Sequence, residues 1–482
     1  MQSGISSERD SPWVGFAVVV TAVIVAAVTA RPYAGAWNDG SRLATVESLV
    51  DHHTLAIDDS IFVRVPPLDG QAASPYPLDD ALLQSKGTLD KLLIDGRYYS
   101  DKSPVPAVLL AGVYEAWQAG TGLTARQRPD LFCLVMALAS SGLAYVVAVG
   151  CVYRLCGTIG LAWTPRLALT ASFGLCTLAL PYAAHVNNHI LLLGVSAALM
   201  LGFVQLAQAR AAGRMPWGWL AALGTLTGLG YSIDLGFGPV LVLCAGALVF
   251  LRCRRAVAVA LFALAALPWL ALHHAVNYAT GGTLVPANAV AAYFDWPGCP
   301  FNAANMTGGW KHESIGHFLL YAAGLLAGKK GLLGHNLALF LVLPALWHLL
   351  RRSPQLPEVL FAICLSGGVW LMYAANSTNS SGLCLSVRWF VPLLAPGYYL
   401  LALYLKRSPH ALRDLFVLSA GGLILTALGW WHGPWFDHML PGFWPVQAAA
   451  LLALVEYRLR LRLLARLPAQ SAESSQSLAR AA

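Results

Sequence analysis

The chain has 482 residues, 57% of them hydrophobic and only 11% charged. Soluble domains carry about 25% charged residues, so the composition excludes a soluble globular protein and indicates a polytopic membrane protein. The net charge of +8 does not indicate a nucleic-acid binder, which would gather its bases on one polar face. Here they sit in short clusters between apolar runs: Arg252, Arg254 and Arg255; Arg351 and Arg352; Lys406, Arg407 and Arg413; Arg458, Arg460, Arg462 and Arg466. That is the pattern of cytoplasmic loops.

The first apolar run, Trp13 to Ala30, is long enough to span and is followed directly by Arg31-Pro32. It reads as a retained anchor rather than a cleaved signal peptide. A long polar stretch follows, from Arg31 to Ser103, opening with Trp37-Asn38-Asp39-Gly40-Ser41-Arg42. A helix starting near Gly40 would have an apolar face of Val46, Leu49 and Val50 and would lie on the membrane surface. Asp39 at its N-terminal end is then either a helix cap or a catalytic acid or base, since free backbone N–H groups stabilise a carboxylate there. Arg42 follows at i+3. The stretch closes with Asp101-Lys102-Ser103-Pro104. Lys102 would sit at headgroup level, either snorkelling or facing a lipid phosphate.

Further apolar runs lie near 104–119, 131–153, 162–181, 188–209, 217–232, 236–251, 256–276, 337–350, 357–375, 388–405, 412–431 and 443–461. A spanning helix needs about 20 apolar residues. With the basic C-terminus inside, every basic cluster falls inside. The loops 277–336, 376–387 and 432–442 fall outside, with the first polar stretch. This parity requires that the run 104–119, short and carrying Pro104, Pro106 and Glu115, lie along the outer interface; the alternative is that it crosses and another short run does not. The inside then holds 18 Lys/Arg and 6 Asp/Glu, and the outside 13 and 17. The expectation is about twelve spans with both termini cytoplasmic.

One unit over 1–467 is expected, with 31–130 as the first external loop. The large external loop 277–336 carries an aromatic segment, Tyr293-Phe294-Asp295-Trp296, and a second interfacial helix over Ile315 to Ala327. Residues 468–482 read as a disordered cytoplasmic tail.

The outer helix ends collect the unusual polar groups. His185 and His189, at i and i+4, would share one helical face, a spacing suited to a metal, to substrate hydrogen bonding or to packing. Asp234 lies between two short apolar runs, where an ionisable group marks a functional site. Arg388 opens a helix at its outer end, either snorkelling or offering a fork of donors to phosphate. Cys299 and Cys384 are the two cysteines in external loops, where a disulfide is permitted. No P-loop, GxSxG, HExxH or CxxCH occurs, which argues against an ATP-driven pump.

These motifs resemble the GT-C class of membrane glycosyltransferases, and within it the branch of protein O-mannosyltransferases and lipid A aminoarabinose transferases. That branch carries an acidic residue soon after its first helix, matched by Asp39. Its first loop ends in a tyrosine-rich, Lys-Pro-Pro-like element, matched by Tyr98-Tyr99-Ser100-Asp101-Lys102-Ser103-Pro104 with Ser103 in place of the first proline. A late Gly-x-Arg-Tyr-like element is matched loosely by Leu385-Ser386-Val387-Arg388-Trp389. Where the branch usually has an acid two helices later, this chain has His185 to His189.

The resemblance implies an all-α GT-C-like bundle in a bacterial inner membrane. It would transfer a sugar from a polyprenyl-phosphate donor to a glycan, lipid or protein acceptor on the periplasmic side, with inversion. It implies Asp39 as the base, Lys102 and Arg388 at the donor phosphate, and Arg42, Asp101, His189 and Asp234 orienting the substrate. A divalent metal stays open, with His185 and His189 as its candidates. The competing reading is a secondary transporter or flippase of lipid-linked sugars, which would place ionisable groups near mid-membrane instead.

Overall fold

A computed structural model describes residues 12–67, 73–302 and 305–464. The proposed tail, 468–482, lies outside the described residues. The chain is an all-α polytopic membrane protein, and each apolar run found in the sequence forms helix. The first apolar run is α1 (Pro12–Thr29), which buries only the small residues Ala22 and Ala26 and Thr29. The two alanines pack with a long helix, Pro129–Ile159, in one core with its Ala144 and Ala148. Small side chains let two membrane helices approach closely where no hydrophobic effect draws them together.

The helix α2 (Trp37–Asp51) is buried on all sides from Asn38 to Ser48. This corrects the expected membrane-surface helix. The loop folds around α2 and gives its polar residues partners: Ser60 donates to Glu47 at 2.5 Å and the Ile61 N–H at 3.1 Å. The hairpin of β1 (Lys91–Ile94) and β2 (Arg97–Ser100) follows. Its two-residue turn is Asp95-Gly96, both at positive φ (50° and 77°), the geometry that Asp-Gly favours in tight hairpins.

Next comes α3 (Pro104–Thr121), the run expected at the outer interface. It is tied to α2 through Asp51, which accepts from Tyr114 Oη at 2.7 Å and Gln118 Nε2 at 2.9 Å. A separate core of Leu43, Val46, Phe62, Tyr76, Tyr114 and Phe132 fills this unit.

The central helix is α4 (Asn188–Ala211). It packs against Pro129–Ile159, against α5 (Trp217–Ile233) and against the short 3₁₀ turn Arg388–Leu393. The remaining helices of the bundle include α6 (Gly238–Cys253), α7 (Ala256–Gly281), α8 (Ile315–Ala327), α9 (Leu356–Asn376), α10 (Leu394–Arg407) and α11 (Ala411–His432), of which α6, α9 and α10 touch the central helix. The bounds of α8 coincide with those read from sequence.

Among the described residues six helices are long and apolar enough to cross a membrane: α1, Pro129–Ile159, α4, α7, α9 and α11. The bent pair Ile315–His335 and Leu337–Arg351 makes a seventh if it is one span. The helix α6, at 16 residues, is a shorter apolar candidate. At the end assigned to the cytoplasm, two basic clusters pair with buried acids, Arg252 with Glu358 and Arg458 with Asp414. Cys299 and Cys384 are not joined; both thiols are free, and Cys384 is buried beside Ser381 and the Ser386 carbonyl.

Candidate active site

The hairpin builds the first wall. Its register pairs Ile94 with Arg97 and Lys91 with Ser100, so Asp90 and Asp101 stand next to each other at its open end. Lys102 Nζ bridges them, at 2.7 Å from Asp90 Oδ2 and 2.6 Å from Asp101 Oδ2. Ser41 Oγ pins α2 to this end, 2.5 Å from the Asp90 carbonyl and 2.6 Å from Ser100 Oγ. One oxygen of Asp101, Oδ1, is buried without a hydrogen-bond partner. Burial, reinforced by the charge of Asp90 and opposed by Lys102, raises the proton affinity of Asp101 above that of an ordinary carboxylate.

Arg42 comes from α2. It is buried and donates through Nη1 to the Asn38 carbonyl at 2.6 Å and to Asn38 Oδ1 at 2.5 Å. Both acceptors are neutral, and the carboxylates of Asp101, Asp90 and Asp39 favour its charge only from a distance, outside ion-pair reach. Burial, and next the like charge of Arg388, push it down to about 10, which leaves it cationic at neutral pH. Arg388 opens the 3₁₀ turn, with its backbone N–H on Ser381 Oγ at 3.1 Å. Its Nε is buried without a partner, and its guanidinium lies 5.4 Å from the Trp435 ring centre. Among the described residues neither arginine has an ion-pair partner.

The opposite wall is Asp234, at the C-terminal end of α5. It accepts from the Gly236 N–H at 2.9 Å, the Phe237 N–H at 3.2 Å, Tyr373 Oη at 3.0 Å and Asn188 Nδ2 at 2.8 Å. His189 Nδ1 stands 3.9 Å away.

These walls enclose a cavity of about 500 Å³. Six residues nominated from sequence line it: Arg42, Asp101, Lys102, His189, Asp234 and Arg388. Asp39 and His185 are not among the lining residues. The Asp39 side chain is fully buried and accepts from the backbone N–H groups of Gly35 at 2.6 Å and Ala36 at 2.8 Å. At the third position of α2 it reaches back to the backbone of Ala36, the N-cap, as in a capping box. His185 Nδ1 lies 3.2 Å from the Tyr33 carbonyl and 3.4 Å from Asp39 Oδ2. That contact is not ionic, because burial holds the imidazole down to about 4 and therefore neutral.

The two histidines do not share a helical face, because α4 begins only at Asn188 with Asn187 as its cap. Among the described residues no three metal-binding side chains converge, and the nearest carboxylate pair is already bridged by Lys102.

Sequence reading missed Asp90, Asn188 and Tyr373. Asp90 had a signal: the Asp-Gly turn at 95–96 fixes a two-residue hairpin, which places residue 90 across from 101. Asn188 and Tyr373 had none, since Asp234 gathers them across long sequence separations.

Burial of acids in the unit around α2 has a measurable consequence. Asp39 and Glu47 are both pushed up to about 7 by burial. Their stabilising contribution is full below about pH 4 and is lost as pH rises through 7, because the unfolded chain gives up these protons first. The midpoint of thermal unfolding in detergent should fall by several degrees between pH 5 and pH 8. The pair Asp39→Asn and Glu47→Gln should flatten that slope, and a wild-type midpoint that rises with pH would contradict it.

No protein-family model matches the chain, and no curated protein sequence matches it. Among solved structures it is similar to ArnT from Cupriavidus metallidurans bound to undecaprenyl phosphate. The identity is 14%, over 92% of this chain and 76% of that one, with a TM-score of 0.49. The apo form of the same protein aligns at 14% identity over the same shares, with a TM-score of 0.47. The apo oligosaccharyltransferase of Archaeoglobus fulgidus aligns at 10% identity over 91% of this chain and 56% of that one, with a TM-score of 0.47. The chain is thus similar to ArnT and to this oligosaccharyltransferase over 92% and 91% of its own length.

Proposed function

We propose that this chain is a GT-C membrane glycosyltransferase that moves a sugar from a polyprenyl-phosphate donor to an acceptor hydroxyl on the outer side of the membrane, with inversion. The observation that carries the reading is the pair of unpaired arginines, Arg42 and Arg388, lining one cavity with Asp101, a carboxylate that keeps one oxygen free.

In the reaction the acceptor oxygen attacks the anomeric carbon of the donor. The bond from that carbon to the phosphate oxygen breaks, and its electron pair stays on the phosphate. The acceptor proton passes to Asp101 Oδ1. The donor phosphodiester carries one negative charge and the leaving phosphate approaches two. Arg42 and Arg388 together carry two positive charges, so they bind the transition state more strongly than the donor. Lys102 holds Asp90 and Asp101 in place instead of meeting the phosphate. Asp39 holds the start of α2, and thereby Arg42.

The transporter reading receives less support. No lining residue comes from the segments assigned to the inner side, at 154–166, 210–214, 252–255, 351–352 or 406–413. A carrier needs a polar path reaching that side. The test is incubation of purified protein with labelled polyprenyl-phosphate sugars and an outer-envelope extract. Label should move to an envelope component. Absence of transfer from every donor, with donor-dependent movement of label across sealed vesicles, would favour the carrier.

A further inference from the structure

The cavity holds one more group whose chemistry is fixed by its neighbours. Asn188, the first residue of the central helix, is 6% exposed and lines the cavity. Its Nδ2 donates to Asp234 Oδ2 at 2.8 Å. A carboxylate only accepts, so the amide cannot turn over without setting oxygen against oxygen. Asp234 is itself immobilised by three other donors: two backbone N–H groups and Tyr373 Oη. The Asn188 Oδ1 is therefore a fixed acceptor, and it is buried with no partner. An unmet buried acceptor is costly and marks the place of an absent donor.

The surroundings hold this arrangement firmly. Tyr373 stacks on Trp389 with ring centres 4.2 Å apart and an interplanar angle of 6°, and Trp389 directly follows Arg388. Gly236 allows the close approach: a Cβ there would lie 2.1 Å from Tyr373 Oη. Phosphate-binding arginine, aromatic ring, tyrosine, carboxylate and amide thus form one continuous cluster.

We infer that Asn188 is a specificity-determining residue whose Oδ1 accepts a hydrogen bond from an O–H or N–H group on the ring of the transferred sugar. The inference rests on the glycosyltransferase reading above. It assigns the donor to the class of sugars that carry a hydroxyl or amine at the position facing Asn188, and it makes the analogue deoxygenated there a poor ligand. The mechanism is that of a site built around one polar partner, which rejects an analogue lacking it because its own buried group is left unpaired.

The test uses full-length protein in nanodiscs of phosphatidylethanolamine and phosphatidylglycerol. The probes are undecaprenyl phosphate carrying mannose, glucose, galactose or arabinose, and the monodeoxy forms of each, with binding read by calorimetry. For the sugar that binds, removal of one particular hydroxyl should weaken wild-type affinity by about tenfold to a hundredfold. In Asn188→Ala that penalty should shrink to within about threefold, with affinity for the deoxy donor unchanged. Asp234→Asn, which frees the amide to turn, should give an intermediate penalty and serves if the alanine variant does not fold.

A penalty that persists in a folded variant overturns the inference while leaving the glycosyltransferase reading intact, as does wild-type protein indifferent to every hydroxyl. Wild-type protein that binds none of the polyprenyl-phosphate sugars overturns the donor reading, and the inference with it.

Discussion

Arg388→Ala should lower kcat for sugar transfer by about a hundredfold to a thousandfold, the range for removing one donor aimed at developing charge. The effect should fall on kcat more than on KM, because the second negative charge appears only as the phosphate leaves. Arg388→Lys should recover little of it. An ammonium is a point charge on a flexible stem and lacks the planar fork that reaches two phosphate oxygens. The buried, unpartnered Nε is the specific atom that lysine cannot replace. Arg42→Ala should behave similarly, since each arginine lacks an acid of its own. Steady-state kinetics with a labelled donor reads both; a lysine variant with near wild-type kcat would remove Arg388 from the phosphate.

Asp101→Asn should lower kcat by about a hundredfold to ten-thousandfold, the usual range for a lost general base. Asp39→Asn should leave kcat within about tenfold and change the unfolding midpoint and its pH dependence instead. The contrast is geometric. Asp101 lines the cavity and has a free oxygen, while both oxygens of Asp39 accept backbone N–H groups at the start of α2. An asparagine at 39 can accept with one oxygen only, so one of those N–H groups loses its partner. Removing Asp101 also breaks its bridge to Lys102, so Lys102→Met is the control: it breaks the bridge and keeps the carboxylate, and its kcat should stay well above that of Asp101→Asn if the base matters and not the bridge. Kinetics in which Asp39→Asn is the inactive variant would return the base to the residue that the resemblance named.

The sequence by itself determined which segments are helices and which ends carry polar chemistry. The composition forbids a soluble core, and an uncharged run of about 20 residues has few alternatives to helix in lipid. It also nominated six of the cavity residues, because an ionisable side chain at the outer end of an apolar run is costly unless it serves a site. Even the hairpin was legible in Asp95-Gly96.

What only the tertiary structure decided was which partner each polar group takes. From sequence, Asp39 was a cap or a base, with the resemblance naming it the base; the folded loop encloses it and its oxygens close on Gly35 and Ala36. Lys102 was equally a phosphate ligand or a snorkelling lysine; hairpin register brings Asp90 beside Asp101 and claims the ammonium for the pair. Arg42 was nominated only through the resemblance; the burial of α2 on all sides encloses it, and the fold brings it and Arg388 to the lining of one cavity. The physical reason is the same in each case. Secondary structure follows from local periodicity and backbone hydrogen bonding. The partners of a polar group in a folded site come from elsewhere in the chain, as Asp234 takes Asn188 from 46 positions away and Tyr373 from 139.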